Sequence, residues 1–227
     1  MIKPRIIVFA GTVGSGKSTH MKLLYSELKR RRLKVKKIGF LKTGNLLAFV
    51  LEVFLAKMLA SRRKDVHYIR ALVEEKTNIF KRMFRLWLFL DLLSITIKFL
   101  IHVYLPLKLG YIVLVEEYIP AAISDYIYLS RILKSPLKIN SFAIRYMLKL
   151  INVCNPIHTF FFDAGNNDLF IRWRMRGSLC ERGEYIQMQR NVLFLISRKL
   201  SHRFLYVNTS MKTLTEVHKL ITDHMGL

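Results

Sequence analysis

The segment Gly11-Thr12-Val13-Gly14-Ser15-Gly16-Lys17-Ser18 satisfies the pattern G-x-x-x-x-G-K-[ST], and each residue type in it suits a phosphate. Glycines permit turn dihedrals that a β-carbon would forbid, so successive backbone N–H groups converge on phosphate oxygens. A helix that begins directly after the loop adds the partial positive charge of its N-terminus. The Lys17 ammonium can neutralise β- and γ-phosphates, and the Ser18 hydroxyl is a magnesium ligand. Gly11 to Thr19 is therefore expected to cradle the phosphates of ATP with Mg2+.

Such a loop needs a carboxylate nearby to hold the metal or take a proton. Glu116 and Glu117 end the apolar run Tyr111 to Val115, and the carboxyl ends of parallel strands form the ligand crevice of an α/β sheet. Glu116 is the candidate metal-linked group or base, and Glu117 its neighbour at the same strand end. Arg172, Arg174 and Arg176 precede the stretch Gly177 to Gly183. Phosphoryl transfer spreads negative charge over the moving group, and arginines on a closing lid, here about 172–184, would stabilise it. Arg172 and Arg176 are four apart and share a helical face, whereas Arg174 points elsewhere.

The elements that must position these groups alternate between strand and helix, which predicts a mainly parallel sheet covered on both faces. Strands are expected at Arg5 to Ala10, Val35 to Phe40, Tyr111 to Val115, His158 to Phe162 and Phe204 to Val207. A helix should run from Lys17 to Arg32, with Met21, Leu24 and Leu28 on one face. Leu46 to Leu107 reads as helical, with breaks near Ser61 to Lys64 and Glu75 to Asn78. Helices at 121–133, 141–151, 168–176, up to 200, and 212–225 complete one kinase-like domain spanning 1–227.

Hydrophobic residues make up 52% of the chain, which excludes disorder. The stretch Leu86 to Leu107 is the serious membrane candidate, but Asp91, Ser94, Lys98 and His102 fall on one helical face. Each charge at mid-bilayer would cost about 2.5–3.5 kcal/mol, so a helix with one polar stripe, not a span, is expected. Cys154 and Cys180 have neither metal-ligand nor disulfide spacing and read as thiols of a reducing, cytoplasmic setting. The net charge of +23, from 38 basic and 15 acidic side chains, predicts affinity for polyanions such as nucleic acid.

Taken together, these positions resemble the thymidylate kinase family of nucleoside-monophosphate kinases. Gly11 to His20 resembles that family's phosphate loop, and Glu116-Glu117-Tyr118 resembles its D-R-Y. Leu90-Asp91-Leu92 is similar to its A-D-R, and Phe162-Asp163-Ala164 with Arg172, Arg176 and Gly177 is similar to its L-D-V and R-x-x-x-R-G stretches. The resemblance implies a five-stranded parallel sheet, a magnesium–ATP donor, a mobile lid and a homodimer. It implies that Lys17, Arg172 and Arg176 stabilise the transferred phosphoryl, and that Ser18 and Glu116 support the metal. It places Asp91, Glu117 and Tyr118 on the acceptor side, with Lys42 as a compensating cation.

The chain also departs from that pattern. Val13 replaces an aspartate aimed at the substrate sugar, Glu117 replaces an arginine, and Leu92 replaces another. Three readings follow. The first is phosphoryl transfer from ATP to a nucleoside monophosphate, with dTMP the first guess. The second is a kinase for a nucleoside or other hydroxyl acceptor, with Glu116 as base. The third is a nucleotide-binding module that engages nucleic acid with little catalysis.

Overall fold

The computed structural model describes residues 5–39, 41, 43–44, 46–59, 68–138, 140–177 and 182–227. Its elements run β1 (Ile6–Gly11), α1 (Lys17–Arg30), β2 (Val35–Ile38), α2 (Leu46–Leu59), α3 (Tyr68–Glu75) and α4 (Thr77–Phe99). A π-helical turn, Leu100–Tyr104, continues α4 into α5 (Leu105–Lys108). Then come β3 (Ile112–Glu116), α6 (Ile119–Ile132), α7 (Phe142–Val153), β4 (His158–Asp163), α8 (Asn166–Met175), α9 (Gly183–Leu200), β5 (Arg203–Asn208) and α10 (Leu214–Met225).

All strand pairs are parallel and the order is β2-β3-β1-β4-β5. The central strand, Ile6 to Gly11, is buried at every position, as a strand covered on both faces must be. Side chains alternate between two cores. Ile7, Phe9, Leu114, Phe160 and Phe162 pack with Leu24 and Leu28 of α1 and with Val217 and Ile221 of α10. Ile6, Val8, Val113, Val115 and Phe161 pack with Trp87 of α4, Ile123 of α6, Ile144 of α7 and Leu193 of α9. This is the three-layer sandwich expected from the alternation of apolar runs. Because β1 lies between β3 and β4, the chain leaves it at a topological switch point, where such sheets place their ligands.

The apolar region between β2 and β3 resolves into α2 to α5. Its expected break near Glu75 to Asn78 falls at Lys76, between α3 and α4; the other, Ser61 to Lys64, lies outside the described residues. The polar stripe of α4 turns inward: Asp91 and Ser94 are fully buried, and Tyr126 of α6 donates to the Asp91 carboxylate at 2.7 Å. Leu86, Phe89, Leu93, Leu100 and Ile101 face outward instead, beside exposed Val50, Phe54 and Met58 of α2. The reason is that the carboxylate finds hydroxyl and amide donors inside the protein, which a solvent-facing stripe would not use. Thr77–Lys108 is one helix long and apolar enough to cross a membrane, with 39% of its most apolar window buried within the protein.

Candidate functional site

The loop between β1 and α1 forms at the carboxyl end of the central strand. Gly11 has φ +132°, and a β-carbon there would stand 1.9 Å from the Phe162 carbonyl oxygen of β4. Gly14 has φ +85°, and a β-carbon would meet the Trp173 Nε1 at 2.7 Å. Only glycine fits at either position. Gly16 caps α1 in a left-handed conformation, so the N-terminus of that helix points into the loop.

Lys17 is 4% exposed, and its Nζ donates to the Gly11 and Thr12 carbonyls at 3.0 and 2.7 Å. It lies 3.7 Å from the Glu117 carboxylate. Next to it, the Ser18 hydroxyl donates to Glu116 Oε1. Glu116 is fixed by strand pairing with Phe9, and Glu117 by its N–H to the Phe9 carbonyl at 3.2 Å. The structure therefore brings Lys17, Ser18, Glu116 and Glu117 together at one end of the sheet. Glu117 adopts φ +52°, a left-handed conformation that costs a side-chain-bearing residue about 1 kcal/mol and is concentrated at functional sites.

The rest of the loop is held from behind. Thr12 and Ser15 are fully buried, Val13 and Gly16 half-buried, and Thr19 faces outward. Trp173 donates its indole N–H to the Val13 carbonyl at 3.1 Å. Arg172 donates to the Gly14 carbonyl at 3.3 Å, to Thr209 Oγ1 at 2.9 Å and to the Thr209 carbonyl at 2.8 Å. Arg172 thus ties α8 to the loop and to the turn after β5. Arg176 caps the end of α8 and, like Arg174, is exposed. Residues 178–181 of the expected lid lie outside the described residues.

Asp163, at the end of β4, is a hub that spacing alone did not single out. It accepts from Thr12 Oγ1 at 3.3 Å, the Ala164 N–H at 2.9 Å, Tyr206 OH at 3.2 Å and Arg190 Nε at 2.9 Å. Arg190 also reaches the Ala164 carbonyl and Asn166. No local motif marks Arg190 or Thr209, because both meet the loop only through tertiary packing. His20, in the first turns of α1, stacks on Phe162 at 5.4 Å; burial first, then His218, holds its pKa down to about 4.

On the β2–β3 side of Lys17 the structure gathers more carboxylates. The Leu41 N–H donates to the Glu117 carbonyl at 3.0 Å, drawing the segment after β2 toward the site. Gly44 N–H donates to Asp91 at 3.0 Å, and Thr43 Oγ1 to Asp125 at 2.8 Å. Tyr185 of α9 donates to the other Asp125 oxygen at 2.7 Å. Glu52 of α2 accepts from the Trp87 indole at 2.9 Å, and burial pushes its pKa up to about 7. Tyr118 departs from its expected place: its ring is 2% exposed inside the core, and its hydroxyl faces the Cys154 carbonyl at 3.5 Å. Burial drives its pKa far upward, so it packs as a core phenol. Lys42 lies outside the described residues.

No family model matches the sequence, and no curated protein matches it significantly. Solved structures do. Thymidylate kinase from Ehrlichia chaffeensis superposes with a TM-score of 0.54 over 100% of both chains at 18% identity. Thymidylate kinase from Candida albicans gives 0.56 over 99% of this chain and 92% of its own, at 14% identity. The chain therefore has the fold of the thymidylate kinases, a P-loop three-layer sandwich built on a five-stranded parallel sheet.

Proposed function

We propose that this chain is an ATP-dependent phosphotransferase of the nucleotide-kinase type, passing the γ-phosphoryl group to a nucleoside monophosphate, with dTMP the first acceptor to try. One observation carries the reading. Lys17, Ser18 and Glu116 converge on a glycine loop that no side chain could replace, at the switch point of the sheet.

The residues fit magnesium–ATP. Mg2+ keeps several waters and takes few protein ligands, which suits one hydroxyl and one carboxylate, Ser18 and Glu116. When bound, the metal would neutralise charge on the phosphate oxygens. Lys17 would exchange the Gly11 and Thr12 carbonyls for phosphate oxygens, and the N–H groups of residues 13–18 would line the loop. An acceptor phosphate oxygen would attack the γ-phosphorus as the bond to the β-phosphate oxygen breaks, leaving that electron pair on ADP. Arg172 would support this as a positioning residue, since its donors hold loop and turn carbonyls. By analogy with the fold, the 172–184 segment would act as the lid of a single domain, and the apolar α2–α4 face would be the dimer contact. A cytoplasmic setting accords with the free thiol of Cys154.

A second reading is favoured by a specific observation: Glu117 sets a carboxylate beside Lys17, with Asp91, Asp125 and Glu52 on the same side. A carboxylate at 117, where the resembled family carries an arginine, suits a neutral hydroxyl acceptor better than a phosphate. In that case Glu116 would take the hydroxyl proton as the oxygen attacks the γ-phosphorus. A coupled assay of ADP formation across nucleosides and nucleoside monophosphates separates the two. Turnover with monophosphates supports the first; turnover with nucleosides but not their monophosphates supports the second; ATP use that no acceptor changes contradicts both.

A further inference from the structure

At the end of the sheet opposite the phosphate loop, four basic side chains meet on one face. Ile7 and Phe9 of β1 face the core shared with α1 and α10, so Arg5, two residues earlier, falls on the same side. Strand register pairs His158 with Ile7 on one side and with Arg203 on the other. Phe160 and Leu205, two residues beyond His158 and Arg203, belong to that same core. His158 and Arg203 therefore stand side by side, with Arg5 on the same face one pleat before Ile7, diagonal to His158. His224, in the last turn of α10, covers them, its ring 5.6 Å from that of His158 and edge-on to it.

This group has unmet hydrogen-bonding capacity. Among the described residues, Arg5 Nε, His158 Nδ1 and His224 Nε2 are each buried with no hydrogen-bond partner, and His158 is 1% exposed. Among the described residues no carboxylate pairs with Arg5 or Arg203, and Asp223, next to His224 in sequence, is exposed on α10. The groups repel one another instead. Burial first, then Arg5, His224 and Arg203, holds the His158 pKa down to about 4; burial and Arg203 lower that of His224; burial and Arg203 lower that of Arg5. A buried polar atom without a partner calls for a water or an ion. One water accepts two hydrogen bonds, whereas a tetrahedral oxyanion can accept from all four side chains and relieve their repulsion.

We propose that Arg5, His158, Arg203 and His224 form a second binding site, for a phosphate-type oxyanion, at the amino end of the sheet. It is separate from the phosphate loop: the six residues of β1 between them span roughly 17–20 Å. The anion is either free orthophosphate or the terminal phosphate of a nucleotide. The proposal stands whether or not the chain is a kinase.

The test is a titration of the full chain with orthophosphate and, separately, with ATP, at constant ionic strength set by chloride. The side-chain nitrogen signals of His158 and His224 are followed by NMR. Full-length Lys17→Ala, run alongside, silences the phosphate loop. The site predicts a saturable shift of both imidazoles in both proteins, with a raised His158 pKa. Arg203 is exposed and repels its neighbours, so Arg203→Gln should keep or raise the wild-type unfolding temperature while weakening the response about tenfold or more. Saturation by orthophosphate identifies the free anion, and saturation by ATP alone identifies a nucleotide phosphate. A response to neither, an equal response to chloride, or an undiminished response in Arg203→Gln would overturn the proposal.

Discussion

The guanidinium of Arg190 lies 2.9 Å from the Asp163 carboxylate, and the same carboxylate accepts from the Thr12 hydroxyl of the phosphate loop. A single carboxylate thereby connects α9, the end of β4 and the loop that would hold the donor. Removing one partner of a largely buried pair leaves the other charge uncompensated. Arg190→Ala should therefore destabilise the protein by about 1–3 kcal/mol and raise the KM for ATP severalfold, with a smaller change in kcat. Urea unfolding with steady-state kinetics checks both; wild-type values would remove Asp163 from the account.

Gly14 is the sharpest steric test of the loop. Gly14→Ala places a methyl 2.7 Å from the Trp173 Nε1 and at φ +85°. Nucleotide affinity should fall at least about tenfold, since the loop must leave the geometry that aims its N–H groups. Equilibrium binding of ATP measures it. Trp173→Phe, which removes only the N–H donated to Val13, should cost about 1 kcal/mol of stability and far less affinity.

Glu52 makes stability depend on pH in a defined direction. Its folded pKa, about 7, lies above the unfolded value, so its contribution is fully present below about 4.5 and lost as pH rises through 7. His20 and His158 act in the opposite sense. Their folded values near 4 lie below the unfolded 6.5, so the unfolded chain binds more protons and stability is lost as pH falls from 6.5 toward 4. The windows overlap, and with two histidines acting against one glutamate these groups together place the stability maximum at about pH 6.5–7. Glu52→Gln, which keeps an acceptor for Trp87, should gain about 1–3 kcal/mol at pH 8 and little at pH 5. Urea titrations at the two pH values decide it.

The outward face of α2 and α4 predicts self-association. Phe89 of α4 is 62% exposed and Val50 of α2 65%, large apolar side chains left facing solvent on two helices that pack together. Phe89→Glu should convert a dimer to a monomer in sedimentation velocity without lowering the unfolding temperature. A wild-type protein that is monomeric at all concentrations would contradict this contact.

The shape of the glycine loop was legible in the sequence because it is local. Gly11 to Ser18 are consecutive, and Glu116 announces itself by ending an apolar run. The sheet was legible for the same reason, since period-2 apolar runs mark its strands. The supports were not. Arg190 meets Asp163 across 27 residues, Arg172 meets Thr209 across 37, and Thr12 meets Asp163 across 151. Arg172 and Arg176 share a helical face by spacing, yet the helix ends there and only Arg172 turns to the loop. Asp91 showed its periodicity but not its direction, which the donors Gly44 and Tyr126 decide.

The most direct test of the central claim is the initial rate of ADP formation from magnesium–ATP, with and without an acceptor panel headed by dTMP, in the wild-type chain and in Lys17→Ala. The expected result is an acceptor-dependent rate that falls by about 10²–10³ or more in Lys17→Ala. Equal ATP consumption across the whole panel and the blank, or full activity in Lys17→Ala, would contradict it.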